Sequence, residues 1–208
     1  MKKIISILNA FIFSLLGFTS CAQTNKGDTS TLENMNRQKI LIAYFSHTGE
    51  NYGVGNITEG NTHIIAKMIS ENTGGKMFEI VPANEYPKTY NACVDQAKQE
   101  KETKARPSIK SDITVEDYDV IFIGYPNWWG DMPMPVYTFL EKHNWNGKTI
   151  IPFCTHEGSG LSSTEKYIAN TCSGANVLKG LAVRGTTAQN NRKDAKSIVD
   201  KWLTQIKK

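Results

Sequence analysis

A three-layer α/β domain, with a parallel sheet covered by helices on both faces, is what this 208-residue chain predicts. Three observations lead there: short apolar runs recur along the chain, segments of helical period alternate with them, and no internal repeat interrupts the alternation. Runs that are apolar at every position belong to strands buried on both faces. Such strands pair in parallel and need right-handed crossover helices between them.

The elements follow in order. The first strand is Ile40 to Phe45. A helix from about Thr62 to Asn72 places Ile65, Met68 and Ile69 on one face, and Gly74 and Gly75 end it before a strand over Met77 to Val81. The next helix runs from about Tyr90 to Glu102, and a third strand spans Tyr118 to Gly124, with Val120, Ile121, Phe122 and Ile123 buried. Thr149 to Cys154 is the fourth strand, followed by a helix near Ser162 to Asn170. Val177 to Val183 is the fifth strand, and Asn190 to Ile206 closes the chain as a helix with Ala195, Ile198, Val199 and Trp202 facing inward.

In such a sheet ligands collect beyond the carboxyl ends of the strands. Three of those ends carry unusual loops. The first opens Ser46, His47, Thr48, Gly49 and closes Gly60, Asn61, Thr62 at the start of a helix, a pattern of hydroxyls, glycines and free backbone N-H groups that cradles phosphate. The third strand runs into Pro126, Asn127, Trp128, Trp129 and Gly130, where two adjacent indoles cannot both enter the core easily and offer faces to a planar ligand. The fourth runs into Thr155, His156, Glu157, Gly158, Ser159 and Gly160, whose glycines admit a ligand close to the backbone. Singly, each loop has a plainer role: Asn61 or Thr62 as a helix N-cap, the tryptophans as a lid on the core, the glycines as a turn. Together at three strand ends they point to one ligand. His63 and His143 read as helix-surface positions, and Arg184 with Gly185 as the shape of the fifth strand end.

The N-terminus has a different composition. Lys2 and Lys3 precede an apolar stretch from Ile4 to Phe18 that is short for a membrane span, as in a secretory signal covering residues 1–20. Phe18, Thr19, Ser20, Cys21 resembles a bacterial lipoprotein cleavage box, which makes Cys21 the lipidation site, residues 21–38 a polar tether and the expected location an exported, membrane-anchored one. Removing Lys2 and Lys3 lowers the net charge of +4 to about +2, which with no basic stripe argues against nucleic acid as a partner. Cys93, Cys154 and Cys172 show no metal spacing. Cys154 and Cys172 are open to a disulfide in an oxidising compartment or to the role of small buried hydrophobes.

From Lys39 to the C-terminus the chain resembles the flavodoxin-like flavoproteins, on the strength of those three loops. The resemblance implies a doubly wound five-stranded parallel sheet in the order 2-1-3-4-5, with FMN as cofactor. It implies that Ser46, His47, Thr48, Gly49, Asn61 and Thr62 hold the FMN phosphate, that Pro126, Asn127, Trp128, Trp129 and Gly130 cover one face of the ring, and that Thr155, His156, Gly158, Ser159 and Gly160 wall the other. Residues 50–59 then form an insertion in the phosphate loop. No catalytic side chain is required, since the cofactor carries the redox chemistry, and Glu157 biases its potential by charge. The function expected is electron transfer with a redox protein or small-molecule donor or acceptor. The alternatives are an FMN-dependent NAD(P)H:quinone-type reductase and a lipid-tethered binding module with a weak or empty flavin site. A hydrolase is not supported, because Gly158, Ser159, Gly160 lacks the first glycine of a nucleophile elbow.

Overall fold

The central strand β1 (Ile40–Tyr44) is buried at every position, and in a computed structural model that describes residues 38–206 it pairs in parallel on both sides. The expected signal, Cys21 and nearly all of the expected tether lie outside the described residues. On one side of β1 lies β4 (Lys76–Glu79); on the other lie β5 (Val120–Pro126) and then β6 (Thr149–His156). The expected fifth strand is two segments, β7 (Asn176–Val177) and β8 (Leu181–Arg184), which pair in parallel with opposite ends of β6. In order of position the sheet is therefore 2-1-3-4-5, as the resemblance implies.

The break in the fifth strand has its cause on the neighbouring strand. Leu178 N donates to Ile150 O and Asn127 N to Thr155 O, so alternate residues of β6 face the edge, and Pro152 is one of them. Proline has no N-H to give the fifth strand. After Leu178 the chain leaves the ladder, and Gly180 N donates instead to Glu165 Oε1 at 2.7 Å.

Residues 50–59 fold as a small antiparallel hairpin, β2 (Gly49–Asn51) and β3 (Gly55–Ile57). Six α-helices accompany the strands among the described residues: α1 (Asn61–Thr73), α2 (Tyr90–Glu102), α3 (Met134–Leu140), α4 (Thr164–Thr171), α5 (Gly185–Asn190) and α6 (Arg192–Ile206). The short α3 and α5 were not expected. Each sheet face carries its own core. Leu41, Ala43 and Phe45 pack with Cys93 of α2, Phe139 of α3 and Ile168 of α4; Ile40, Ile42 and Tyr44 pack with Ile65 of α1, Ala188 of α5 and Val199 of α6. No helix among the described residues is long and apolar enough to cross a membrane.

Of the two roles open to Cys154 and Cys172 the structure shows the second: they are separate buried thiols, and burial pushes each up to about 12. His63 shares a hydrogen bond of 2.8 Å between Nδ1 and the Tyr44 hydroxyl. His143 packs its ring on Phe139 with centroids 4.8 Å apart, and its Nε2 lies 3.0 Å from Asp112. His63 is thus a half-exposed position on α1, as expected, whereas His143, its side chain 8% exposed and outside any helix, is not on the surface.

Gly124 on β5 lies under the buried ring of Phe153, where an added Cβ would fall 2.1 Å from the ring. Gly124→Ala should lower the stability of the domain to urea by about 1–3 kcal/mol through overpacking, and an unchanged midpoint would show that the two strands part without penalty.

Candidate functional site

The loops leaving β1, β5 and β6 open on one side of the sheet into a cleft of about 430 Å³, a volume in the range of small-molecule and cofactor sites. Its position follows from the topology, since β1 and β5 are adjacent and their crossovers leave on opposite faces.

The first loop is built around α1. Gly60 is the N-cap residue and has no side chain to offer, so the cap comes from elsewhere: the His63 backbone N-H donates to Ser46 Oγ at 3.1 Å. Neither Asn61 nor Thr62 is the cap; both are already helical. The Thr62 hydroxyl is buried against that of Thr155 at 2.8 Å, tying α1 to the end of β6. Thr48 Oγ1 accepts from Lys88 Nζ at 2.9 Å, and Gly49 sits where a Cβ would fall 2.6 Å from the Lys88 carbonyl oxygen, with φ +100°. Asn61 and His47 face the cleft, and each holds a buried polar atom, Asn61 Oδ1 and His47 Nε2, with no hydrogen-bond partner. Buried polar atoms are ordinarily paired, so two orphans in one cleft mark places for a ligand's polar groups.

His47 is only 8% exposed, under Trp128 with ring centroids 5.7 Å apart and beside Tyr86 at 6.5 Å. Burial and then the Lys88 ammonium push its imidazole down to about 4, so it is neutral at pH 7. Burial, followed by the charge of Arg184, likewise lowers His156.

The third loop separates its two tryptophans. Trp128 packs inward on Phe45 at 5.3 Å and Tyr86 at 5.0 Å, and exchanges backbone hydrogen bonds with Asp131. Trp129 and Gly130 occupy the turn between, with φ of +56° and +73°, the succession of positive values found in type I′ turns. Trp129 is 49% exposed, and its indole N-H donates to the Val94 carbonyl at 3.2 Å. The Asn127 amide is fully used: Nδ2 donates to Gly160 O and Ser162 Oγ, and Oδ1 accepts from Gly130 N. It joins the third loop to the fourth.

In the fourth loop Gly158 N donates to His156 Nδ1 at 2.8 Å. The Glu157 carboxylate accepts from the Thr186 backbone N-H at 2.6 Å and its hydroxyl at 3.1 Å, with Arg184 at 3.9 Å. Its charge is thus partly answered before any ligand arrives. Arg184 is also the N-cap residue of α5.

Of the residues singled out in the sequence, His47, Asn61, Pro126, Asn127, Trp128, Trp129, Thr155, His156, Gly158 and Ser159 line the cleft. Ser46, Thr48, Gly49, Thr62, Gly130 and Gly160 do not; they hold the loops in place through the contacts above. Sequence reasoning missed a second wall, made by Glu50, Asn51 and Tyr52 of the hairpin and by Tyr90, Cys93, Val94 and Ala97 of α2. The last four stand at i, i+3, i+4 and i+7, a helical stripe that was there to be read. The hairpin bridges the two walls: Glu50 Oε2 accepts from Tyr90 N at 2.8 Å, and a Cβ on Gly53 would lie 3.1 Å from Thr186 and 3.4 Å from Glu157.

A family model described as flavodoxin matches residues 39–204. A candidate flavoprotein of Bacteroides uniformis is 31% identical, with a TM-score of 0.62 over 78% of this chain and 98% of its own. A second, from Bacteroides eggerthii, is 32% identical with the same TM-score over 78% and 96%. A flavoprotein of Lactobacillus acidophilus solved in complex with FMN is 23% identical, with a TM-score of 0.55 over 74% and 97%, and shares the fold. Nothing among curated proteins matches.

His47 makes stability depend on pH. The unfolded imidazole takes a proton near pH 6.5 while the folded one stays neutral to about 4, so between these values the unfolded state binds more protons and stability is lost as the pH falls. Urea unfolding at pH 7 and at about pH 4.5 should differ by roughly 2–3 kcal/mol from this source. His47→Gln should flatten that component; an equal slope in both proteins would assign it elsewhere.

Proposed function

The chain belongs to the flavodoxin family, and on that premise we propose that it binds FMN in the strand-end cleft and acts as an electron carrier. The observation that carries this reading is the start of α1 opening on a cleft lined by His47 and Asn61, each with a buried unpaired polar atom, and by Trp128. Such a cleft suits a ligand with an anionic end and a planar ring. The FMN complex of the Lactobacillus acidophilus relative supports the choice of cofactor.

The first-turn N-H groups of Asn61 and Thr62, at the positive end of α1, would hold the phosphate, with Ser46 keeping the helix start in place. His47 stays neutral and offers one hydrogen bond without adding charge. Trp128 and Trp129 would cover one side of the ring, and His156, Gly158 and Ser159 the other. Thr62 and Thr155 exclude water below by pairing with each other. Bound FMN supplies the redox chemistry, storing one or two electrons, which no side chain of the cleft provides.

The protein's partners and place are proposals of the same kind. We infer that Cys21 carries a lipid, that the domain works on the far side of a bacterial membrane, and that its electrons come from a membrane-side partner. Cys21→Ser should move the protein from the membrane fraction to the soluble one; unchanged partition removes the anchor.

Titration with FMN, followed by flavin and tryptophan fluorescence, should give one equivalent bound, and riboflavin should bind at least about tenfold more weakly for want of the phosphate. Trp128→Ala should weaken both ligands by about the same factor, at least tenfold or so. Equal affinity for the two ligands would sink the phosphate assignment, and no binding would sink the cofactor.

A further inference from the structure

We infer that His63 sets how strongly the cleft prefers a flavin that carries a phosphate over one that does not, and that it does so through the proton on its ring. The inference rests on the proposed FMN site and adds to it a positioning residue from outside the cleft.

His63 is the third residue of α1, in the same first turn as the N-H groups of Asn61 and Thr62, and its own N-H is spent on Ser46. Its side chain does not line the cleft; it lies between two carboxylates instead. Nδ1 is 2.8 Å from the Tyr44 hydroxyl, and Glu79, opposite Tyr44 in the β1–β4 register, draws on that hydroxyl from the other side. Nε2 is 3.8 Å from Glu59, just past the end of β3. A hydroxyl that gives its proton to Glu79 leaves only a lone pair for the ring. Both ring nitrogens therefore face acceptors, and only an imidazolium has a proton for each.

The surroundings leave that charge uncancelled. Glu59 is already paired with Arg192 of α6 at 2.8 Å, and its carbonyl is held by Gln189 of α5. Lys67, one turn further along α1, stands against Glu79. These four fixed charges balance, so a protonated His63 adds one net positive charge to the first turn of a helix, where it opposes the helix dipole. A phosphate at the same helix start attracts both the dipole and the imidazolium. Proton and phosphate thus favour each other, while a flavin without the phosphate gains nothing from the proton. The other imidazoles do not share this role. His47 stays neutral to about 4, and His156 is pushed down by burial and by Arg184. His143 lies on Asp112 between α3 and β6, at the amino end of the strands and away from the cleft.

Fluorescence titrations of the wild type and His63→Gln with FMN and with riboflavin, from about pH 5.5 to about pH 8, test this across the ordinary imidazole range. A phosphate ester itself ionises at about pH 6, so the quantity read is the FMN-to-riboflavin preference of the wild type divided by that of the variant. This quotient should rise at least about threefold as the pH falls through the range. Riboflavin should bind the two proteins alike, which also shows that the variant folds. By reciprocity FMN, and not riboflavin, should move the titration of the His63 ring, followed by NMR, to higher pH. A flat quotient, or a ring titration that FMN leaves in place, overturns the inference and leaves the FMN site standing. If FMN does not bind, the cofactor proposal fails, and the ring titration in inorganic phosphate against chloride at matched ionic strength decides the inference: an upward shift keeps it and no shift removes it.

Discussion

The hydrogen bond from the His63 backbone to the Ser46 hydroxyl is the constraint around which the site is arranged. It joins the last turn of chain leaving β1 to the first turn of α1 across a gap of 17 residues, and Gly60 makes the closeness possible, since a Cβ there would fall 2.1 Å from Ser46 Oγ. The two ends of the phosphate-type loop are therefore pinned together, and whatever lies between them is free to take another form without moving the helix. What lies between is a hairpin. Its reach from Tyr90 on one wall to Glu157 and Thr186 on the other follows from that freedom.

The cleft divides its chemistry between two walls because different parts of the fold supply them. Strand ends in a parallel sheet bring loops, and loops bring backbone donors, hydroxyls and glycines. The flank of α2 brings a periodic side-chain stripe with its backbone already paired inside the helix. One wall is thus suited to polar groups and the other to carbon.

The central strands β1, β5 and β6 were legible because each is apolar at most successive positions, and buried parallel strands leave that mark whatever surrounds them. The boundaries of α2 were legible to the residue for the local reason of periodicity. The split of the fifth strand was not, because its cause, Pro152, lies on another strand and acts through a missing donor. The hairpin escaped for a different reason: strands of three residues, with Gly53 between them and Gly55 opening the second, carry no alternation to detect. In the site, residue types named the right loops, yet they could not tell side chains that face the ligand from those that hold the loop. Ser46, Thr62 and the Asn127 amide are polar groups of the expected kind whose partners are protein atoms. The inward turn of Trp128 and the burial of His47 depend on Phe45 and Tyr86, which meet them only after folding.

Pro152 has a consequence for what the molecule does in company. A parallel sheet ends in a row of unpaired backbone groups, and a long straight row invites another chain to extend it. Here the outer edge beyond β6 is cut into pieces of two and four residues with a detour between them, and the opposite edge, β4, is four residues long with Lys76 and Glu79 exposed at its ends. Neither border presents a run long enough to template a foreign strand. A protein crowded with copies of itself on a surface would keep its sheets apart by the same proline that interrupts one of its own strands.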